Sequence, residues 1–396
     1  MPNTNFTPKR IGIDARFYGP IGKGLGRYTQ EVVDNIIRLD QENEYVIFLR
    51  RDNFDELKTD NLPRVKKVLA EVRWYTLAEQ IVMPWLIRRE KLDLIHFPHF
   101  NVPIMCLTKM VVTIHDLILI NFPTKKATTL GPLAYFIKNL GYRLTIRLAL
   151  MRAKAVIAVS QFTKDDIIEH FGVRPDKIVV TYEGVADFAK TAMNAAPDDA
   201  GHNLTLIKHH INRPYILYVG NAYPHKNLEQ LLDVFNSLLK ERPNLQLVLV
   251  GKEDHFYNKI KQQARELQLT IPGKSSPVIF TDYVSDQELA DLYSHATLYV
   301  FASFYEGFGL PPLEAMAKGL AVASSNTTSM PEVLGDAAIY FDPRDPADIK
   351  EKINTLLDNP TLRQELVDKG FGQIKKYSWI ACAEQTLQVY KTNLGQ

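Results

Sequence analysis

Residues 303–319 read SFYEGFGLPPLEAMAKG and directly follow an apolar run, TLYVFAS. Two carboxylates, Glu306 and Glu314, stand there with seven residues between them, around a Gly-Phe-Gly turn. Pro311 and Pro312 open what reads as a helix. That places Glu314 in its first turn, where an acid favours the helix dipole, and helix chemistry alone accounts for it. Glu306 precedes the helix, sits between aromatic residues and Gly307, and caps nothing, which makes it a candidate for ligand contact. Lys226 stands just before a helical pattern, after the run PYILYVGN. A solvated charge and a diphosphate contact both fit it, and the helix start favours the second. Near the N-terminus, YGPIGKGLGRYT carries Gly22, Gly24 and Gly26. The spacing is not the dinucleotide fingerprint. A tight turn satisfies it, and so does backbone N–H approaching a phosphate or sugar without side-chain obstruction. Arg27 opposes the dipole at that helix start, which a nearby anion or plain solvent exposure would offset. His115, ending the run MVVTI, fits a satisfied core histidine as well as a ligand contact.

All these residues share a place relative to the elements that must carry them. Short apolar runs alternate with helical patterns, which predicts an α/β protein with two parallel-sheet halves. In the first half the runs cover 10–17, 45–50, 93–99, 109–117, 155–160 and 177–185, with helices over 26–39, 75–90, 128–152 and 161–171. The polar stretch 186–213 breaks the pattern and reads as a connection between domains. A second series runs through 214–221, 245–251, 277–284, 297–303, 320–325 and 337–342. Ser285 and Glu288 form a capping box at one of its helices; further helices are expected over 346–358 and 361–376, and a last one to about 393. Open parallel sheets bind ligands beyond the carboxyl ends of their strands. Each candidate above follows a strand, so groups from both halves are expected to meet on one cleft.

Composition narrows the function classes. The chain has 396 residues, 46% hydrophobic and 23% charged, which is globular and long enough for two cores. A formal net charge of +2 does not suit a nucleic-acid binder. Cys106 and Cys382 form no metal-ligand spacing, and a reduced, intracellular protein is the simple reading. The opening MPNTNFTPKR lacks the apolar middle of a signal peptide, and no apolar run approaches the roughly 20 residues of a membrane span. The stretch 123–152 mixes apolar residues with six lysines and arginines. It fits a helix with a wet face, and also a basic amphipathic segment lying on an anionic membrane.

Taken in order, IGIDARFYGPIGKGLGRYT, VTIHDL, VIAVSQFTKDDI, VVTYEGV, YILYVGNAYPHKN, LVLVG, SFYEGFGLPPLEAMAKG and YSW resemble the retaining glycosyltransferases of family 4, which have the GT-B fold. The wording is similar to mannosyl- and rhamnosyltransferases of bacterial polysaccharide assembly. The resemblance implies two Rossmann-like domains with a deep interdomain cleft. Residues 1–190 would form the acceptor-binding domain, with a C-terminal helix over about 378–396 packing back on it. Residues 191–213 would be the linker, and 214–377 the nucleotide-sugar-binding domain. It further implies transfer of a hexose, mannose by best guess, from a nucleotide-diphosphate sugar to a saccharide or lipid-linked saccharide. By this resemblance Glu306 accepts hydrogen bonds from sugar hydroxyls while the backbone of Gly307, Phe308 and Gly309 approaches the sugar. Leu310 continues the loop toward the diphosphate, Glu314 holds the ribose, and Lys226 neutralises the diphosphate. Gly24 presents backbone near the diphosphate and His115 touches the sugar near the reacting carbon. Asn221 and His225 also fall in the donor site, where many relatives carry Arg; a cationic contact is then missing or comes from His225 or Arg27. Glu183 stands where Asn is frequent and receives no donor role.

No Asp-x-Asp motif sits at a suitable strand end, so no metal and no cofactor are expected. The expected site is cytoplasmic, with peripheral membrane contact through 123–152. Two other enzyme classes on this fold, a sugar-nucleotide epimerase and a phosphorylase, stay open, as does a non-catalytic nucleotide-sugar-binding protein.

Overall fold

The computed structural model describes residues 7–20, 23–59, 62–122, 132–185, 203–212, 214–271 and 276–396 (for 23 and 132–139, the backbone). Strands β1 (Arg10–Asp14), β2 (Glu44–Leu49), β3 (Val65–Leu69), β4 (Leu94–Phe97), β5 (Met110–Ile114), β6 (Ala155–Ala158) and β7 (Ile178–Val180) build one parallel sheet. Its order is β3-β2-β1-β4-β5-β6-β7. Strands β8 (Tyr215–Val219), β9 (Gln246–Val250), β10 (Val278–Asp282), β11 (Leu298–Phe301), β12 (Val322–Ser325) and β13 (Ala338–Phe341) build the other, in the order β10-β9-β8-β11-β12-β13. In both, the first three strands run outward to one edge and the fourth returns to pair with the first, the doubly wound pattern of dinucleotide-type folds.

Helices α1 (Lys23–Leu39), α2 (Leu77–Arg89), α3 (Ile118–Asn121), α4 (Pro132–Arg152) and α5 (Gln161–Phe171) follow the strands of the first series. In the second stand α6 (Leu204–Lys208), α7 (Leu228–Leu239), α8 (His255–Glu266), α9 (Asp286–His295), α10 (Leu310–Ala317), α11 (Met330–Leu334), α12 (Pro346–Asp358) and α13 (Pro360–Gln373). The chain ends in α14 (Trp379–Leu394). Among the described residues there are two compact units. One holds residues up to Ile120, those on to Gly184, and Ser378–Gln396; the other holds Asn121, Phe122 and those from Val185 to Tyr377.

Most strands are buried along their length because helices cover both faces, which is why they read as unbroken apolar runs. The edge strands β3 and β7 are less buried, and β3 is the strand that the sequence pattern does not show. It reads VKKVL, with the lysines facing outward or half-buried. Lysine on an edge blunts unwanted pairing and at the same time erases the apolar signal. In the first unit, Met83 and Leu86 of α2, Ile146 and Leu150 of α4 and Ile167 of α5 share one buried cluster with Ile95 and Val112 of the sheet. α14 packs on α1 within this same unit. Its Tyr390 hydroxyl meets the His96 Nδ1 at 2.6 Å, and His96 Nε2 meets the Thr113 hydroxyl at 2.8 Å. Buried polar groups are costly unless paired, so this chain fixes α14 against β4 and β5. Gly184 is where the chain leaves the first sheet, and a Cβ there would lie 2.2 Å from the Trp379 nitrogen. Only glycine lets the two ends of the unit approach so closely.

Candidate active site

In the second unit the central neighbours β8 and β11 flank the point where connections diverge to opposite sides of the sheet. Loops at that switch point are where open α/β sheets bind ligands. After β8, the Tyr223 N–H donates to Asn221 Oδ1 at 3.2 Å, so the Asn221 side chain closes a local turn. A single 3-10 turn, Pro224–Lys226, then leads through Asn227 into α7. The Phe304 N–H donates to the His225 carbonyl at 2.7 Å, which ties this turn to the loop after β11. The tie brings Lys226 Nζ to 2.5 Å from Glu306 Oε1, with the side chains only 12% and 10% exposed. Lys226 Nζ also lies 5.4 Å from the Phe301 ring centroid. Two residues read separately in the sequence are thus one shielded ion pair.

Burial holds the His225 imidazole down at about 4, with the Lys226 charge adding to the fall and Glu306 opposing it. His225 is therefore neutral near pH 7 and does not supply the cation that the sequence offered it for. The loop from Glu306 to Gly309 is braced by hydroxyls beyond β12. The Glu306 N–H donates to Thr328 Oγ1 at 3.1 Å, and Ser329 Oγ donates to the carbonyls of Glu306 at 3.0 Å and Phe308 at 3.2 Å. Sequence reasoning missed these braces, although the run SSNTTS was the visible signal. The Phe308 ring packs edge-on against Tyr377 at 5.5 Å, which leaves its backbone and that of Gly307 to shape the loop. Gly309 has φ +99°, and a Cβ on it would meet Met330 Cε at 2.4 Å, so glycine is required there.

Two expectations for this segment are corrected. Leu310 is the first residue of α10 and not part of the loop. Glu314 is accordingly the fifth residue, beyond the first turn, and the helix has no acid in that turn. The dipole therefore does not account for Glu314, which is buried and accepts a hydrogen bond from the Tyr293 hydroxyl at 3.2 Å. Pro311 and Pro312 have no N–H, so the backbone donors at the α10 N-terminus are those of Gly309 and Leu310.

In the first unit, Gly24 and Gly26 lie inside the first turn of α1 and not in a loop before it. Gly24 is exposed, and a Cβ added there would meet nothing within 4 Å. Packing thus gives no reason for glycine at 24. His115 follows β5. Its Nδ1 lies 3.2 Å from Glu183 Oε1 and its Nε2 2.9 Å from the Pro98 carbonyl. Carboxylate and carbonyl oxygens only accept, so both ring nitrogens carry protons when both bonds are made. Burial alone would lower the imidazole, but Glu183, the Pro98 carbonyl and Asp116 together raise it. Tyr28 of α1 presents its ring edge-on to His115 at 4.5 Å between centroids. Glu183, given no role from the sequence, is the group that does most to raise His115.

Residues 22–187 match the family described as Glycosyltransferase Family 4, and residues 207–373 match Glycosyl transferases group 1. The O-antigen chain mannosyltransferase B of Escherichia coli is 30% identical over 388 residues, 93% of this chain and 96% of its own. The chain belongs to the family 4 glycosyltransferases. Its fold is that of WaaG, a glycosyltransferase involved in lipopolysaccharide biosynthesis: TM-score 0.73, 17% identity, 96% of this chain and 99% of that one covered. The fold is also that of Anabaena HepE, solved in complex with UDP-glucose: TM-score 0.71, 17% identity, 97% and 100% covered. The glycosyltransferase holds no group of three or more His, Cys, Asp or Glu placed for a metal ion among the described residues. Among them no helix is long and apolar enough to cross a membrane.

Proposed function

We propose that this glycosyltransferase moves mannose from GDP-mannose to a saccharide or lipid-linked saccharide, with retention at the anomeric carbon and without a metal ion. The observation that carries the reading is the Lys226–Glu306 pair at the switch point of the second sheet. A departing nucleoside diphosphate leaves negative charge on phosphate oxygen and positive character on the sugar ring. Lys226 answers the first charge from a shielded position, where a fixed cation is worth more than in water. Glu306, its partner, accepts hydrogen bonds from the sugar hydroxyls, and its carboxylate is of the sign that suits a cationic ring. The Gly309 and Leu310 N–H groups, at the positive end of α10, are donors for phosphate oxygens. Glu314 is the acceptor for the ribose. Asn221, Gly307 and Phe308 contribute backbone to the same donor, and neutral His225 contributes position, not charge. Gly24 and His115 of the first unit serve the diphosphate and the sugar. Mannose as the sugar, and a polysaccharide as the product, are supported by the name of the Escherichia coli relative.

Retention is assigned to front-face attack, in which the leaving phosphate takes the acceptor's proton. Double inversion would need a carboxylate bonded to the anomeric carbon. Glu306 is engaged with Lys226, which lowers its worth as a nucleophile. Peripheral contact with the inner face of the membrane through 123–152 belongs to the same reading, although 123–131 fall outside the described residues.

The test is a screen of nucleotide sugars, in EDTA, with a mannosyl oligosaccharide acceptor. The α-linked product is expected from GDP-mannose, and Lys226→Met is expected to lower kcat by on the order of 10²–10³. Turnover that needs added Mn²⁺, conversion of the donor without acceptor, or a Lys226→Met enzyme of unchanged kcat would overturn the assignment.

A further inference from the structure

Aromatic rings gather at the carboxyl ends of β1, β3 and β4 in the first unit. Phe17 follows β1, Trp74 and Tyr75 stand between β3 and α2, and His99 and Phe100 follow β4. Phe17 stacks on Trp74 at 4.2 Å between centroids, with the planes 11° apart. His99 lies 3.9 Å from Phe100 and 5.6 Å from Phe17, and Phe100 meets Tyr142 of α4 edge to face at 4.8 Å. Tyr75 completes the bay, 6.2 Å from His99 and 6.1 Å from Phe100. The bay adjoins His115, because the carbonyl that meets His115 Nε2 belongs to Pro98, the residue before His99.

Packing does not explain Tyr75. Its ring is 63% exposed, and its backbone stands at φ +60°, where a bulky residue is strained. Glycine would take that turn at lower cost. The strain is held in place from beneath. The Tyr75 N–H donates to Glu79 Oε2 at 2.8 Å, and Asn101 Nδ2 donates to Glu79 Oε1 at 2.7 Å. The Arg16 guanidinium lies 2.6 Å from the same Glu79 oxygen and 2.6 Å from Asp14, and it donates to the Val72 carbonyl at 3.3 Å. Arg16 and Glu79 are fully buried. A buried ion cluster is a poor source of stability, because desolvation offsets its Coulomb gain. Here it locks the end of β1, the loop before α2 and the loop after β4 into one frame for the rings. Backbone strain that the surroundings over-determine clusters at ligand sites.

We propose that this bay takes a pyranose ring of the acceptor, with Tyr75 as the residue on which that ring stacks. The inference rests on the saccharide acceptor assigned above and narrows it: the bay reads the sugar chain and not a lipid carrier. A pyranose has an apolar C–H face and a rim of hydroxyls. Tyr75 offers the electron-rich face of its ring to the first. His99 offers a hydrogen bond to the second. The Asn101 N–H donates to His99 Nδ1 at 3.4 Å, which leaves the ring proton on Nε2 as a donor. Burial and the nearby His115 hold the His99 imidazole down at about 3, so the ring stays neutral near pH 7. An acyl chain would need aliphatic walls, and a diphosphate would need cations. Arg16 is engaged with two carboxylates, and Arg50 lies 5.0 Å over the Trp74 ring with its charge on Glu71 at 3.2 Å.

The experiment is calorimetric titration of the full chain with an α-linked mannotriose and, separately, with GDP, for the wild type, Tyr75→Gly and Tyr75→Phe. The wild type is expected to bind mannotriose. Tyr75→Gly should weaken that binding at least ~10-fold, as loss of an aromatic anchor does, and leave GDP binding unchanged. Glycine adopts positive φ without strain, so thermal unfolding of this variant should hold or move up, which separates lost binding from lost fold. Tyr75→Phe keeps the ring and should bind nearly as the wild type does. In turnover, the KM for mannotriose should rise in the glycine variant by the same factor as the Kd. A wild type that does not bind mannotriose, or a glycine variant that binds it equally well, would sink the proposal. So would an equal loss of GDP binding, which would make the bay a nucleobase site. The titrations need no sugar donor, so the proposal can fail while the Lys226→Met result stands, and it survives a donor other than GDP-mannose.

Discussion

At the scale of single residues, the charge of His115 is the most specific consequence of the fold. Burial favours the neutral ring, yet Glu183 at 3.2 Å and the Pro98 carbonyl at 2.9 Å favour the imidazolium, and the net direction is upward. A raised value in the folded state means that the pair's contribution to stability is complete below the ordinary imidazole range and fades as pH rises through the raised value. Glu183→Gln removes the carboxylate and leaves burial opposed only by the carbonyl and Asp116. The His115 ring resonance of the variant should therefore titrate at lower pH than that of the wild type. The stability gap between the two proteins should be wider at about pH 6 than at about pH 9. Identical titration curves would remove Glu183 from this role. Of the charged groups facing the ring, Glu183 stands 68 positions away in sequence. No spacing rule finds a partner at that distance. Lys226 and Glu306 were each visible as types out of place, but their pairing, 80 positions apart, was not.

At the scale of elements, Gly309 and Gly24, the two glycines proposed to present backbone to the donor, behave oppositely, and substitution separates them. Gly309 stands at φ +99° with Met330 against it, so Gly309→Ala should cost about 1–3 kcal/mol of strain and displace the loop from Glu306. Gly24 lies in the first turn of α1 with open space around its Cβ direction. Gly24→Ala should leave stability unchanged or raise it by about 0.5–1 kcal/mol, as alanine does within a helix. If the Gly24 backbone serves the diphosphate, the same variant raises the KM for GDP-mannose. Thermal unfolding and donor kinetics on the two variants decide both points; a destabilised Gly24→Ala would show a packing role instead. Most elements were legible because parallel strands buried on both faces read as apolar runs. The capping box at Ser285 and Glu288 marked the start of α9 in the sequence and is formed. The start of α10 was misjudged by a residue or two because Gly309, Pro311 and Pro312 each permit a helix start, and the positive φ at Gly309 decides among them.

At the scale of the whole molecule, the chain leaves the first unit at Gly184 and returns to it at Ser378. The return is bound by Trp379 against Gly184 and by Tyr390 on His96. Trp379 is buried, so Trp379→Ala should destabilise the first unit by about 3–5 kcal/mol. The second unit has its own sheet and core. Calorimetry should accordingly show one transition moving down and another in place; two transitions falling together would mean that the units unfold as one.

By itself the sequence determined the α/β class, nearly every strand, and the list of residues at strand ends whose types suit a ligand as well as, or better than, a structural role. It could do so because those signals are local: periodicity, caps, and a residue type that its neighbours do not explain. Only the tertiary structure decided that Lys226 is paired with Glu306, that His225 is neutral, that Glu314 lies beyond the first turn of its helix, and that Glu183 raises the His115 imidazole. These follow from distances between segments far apart in the chain and from the loss of water around them, and neither quantity is written in any local stretch of residues.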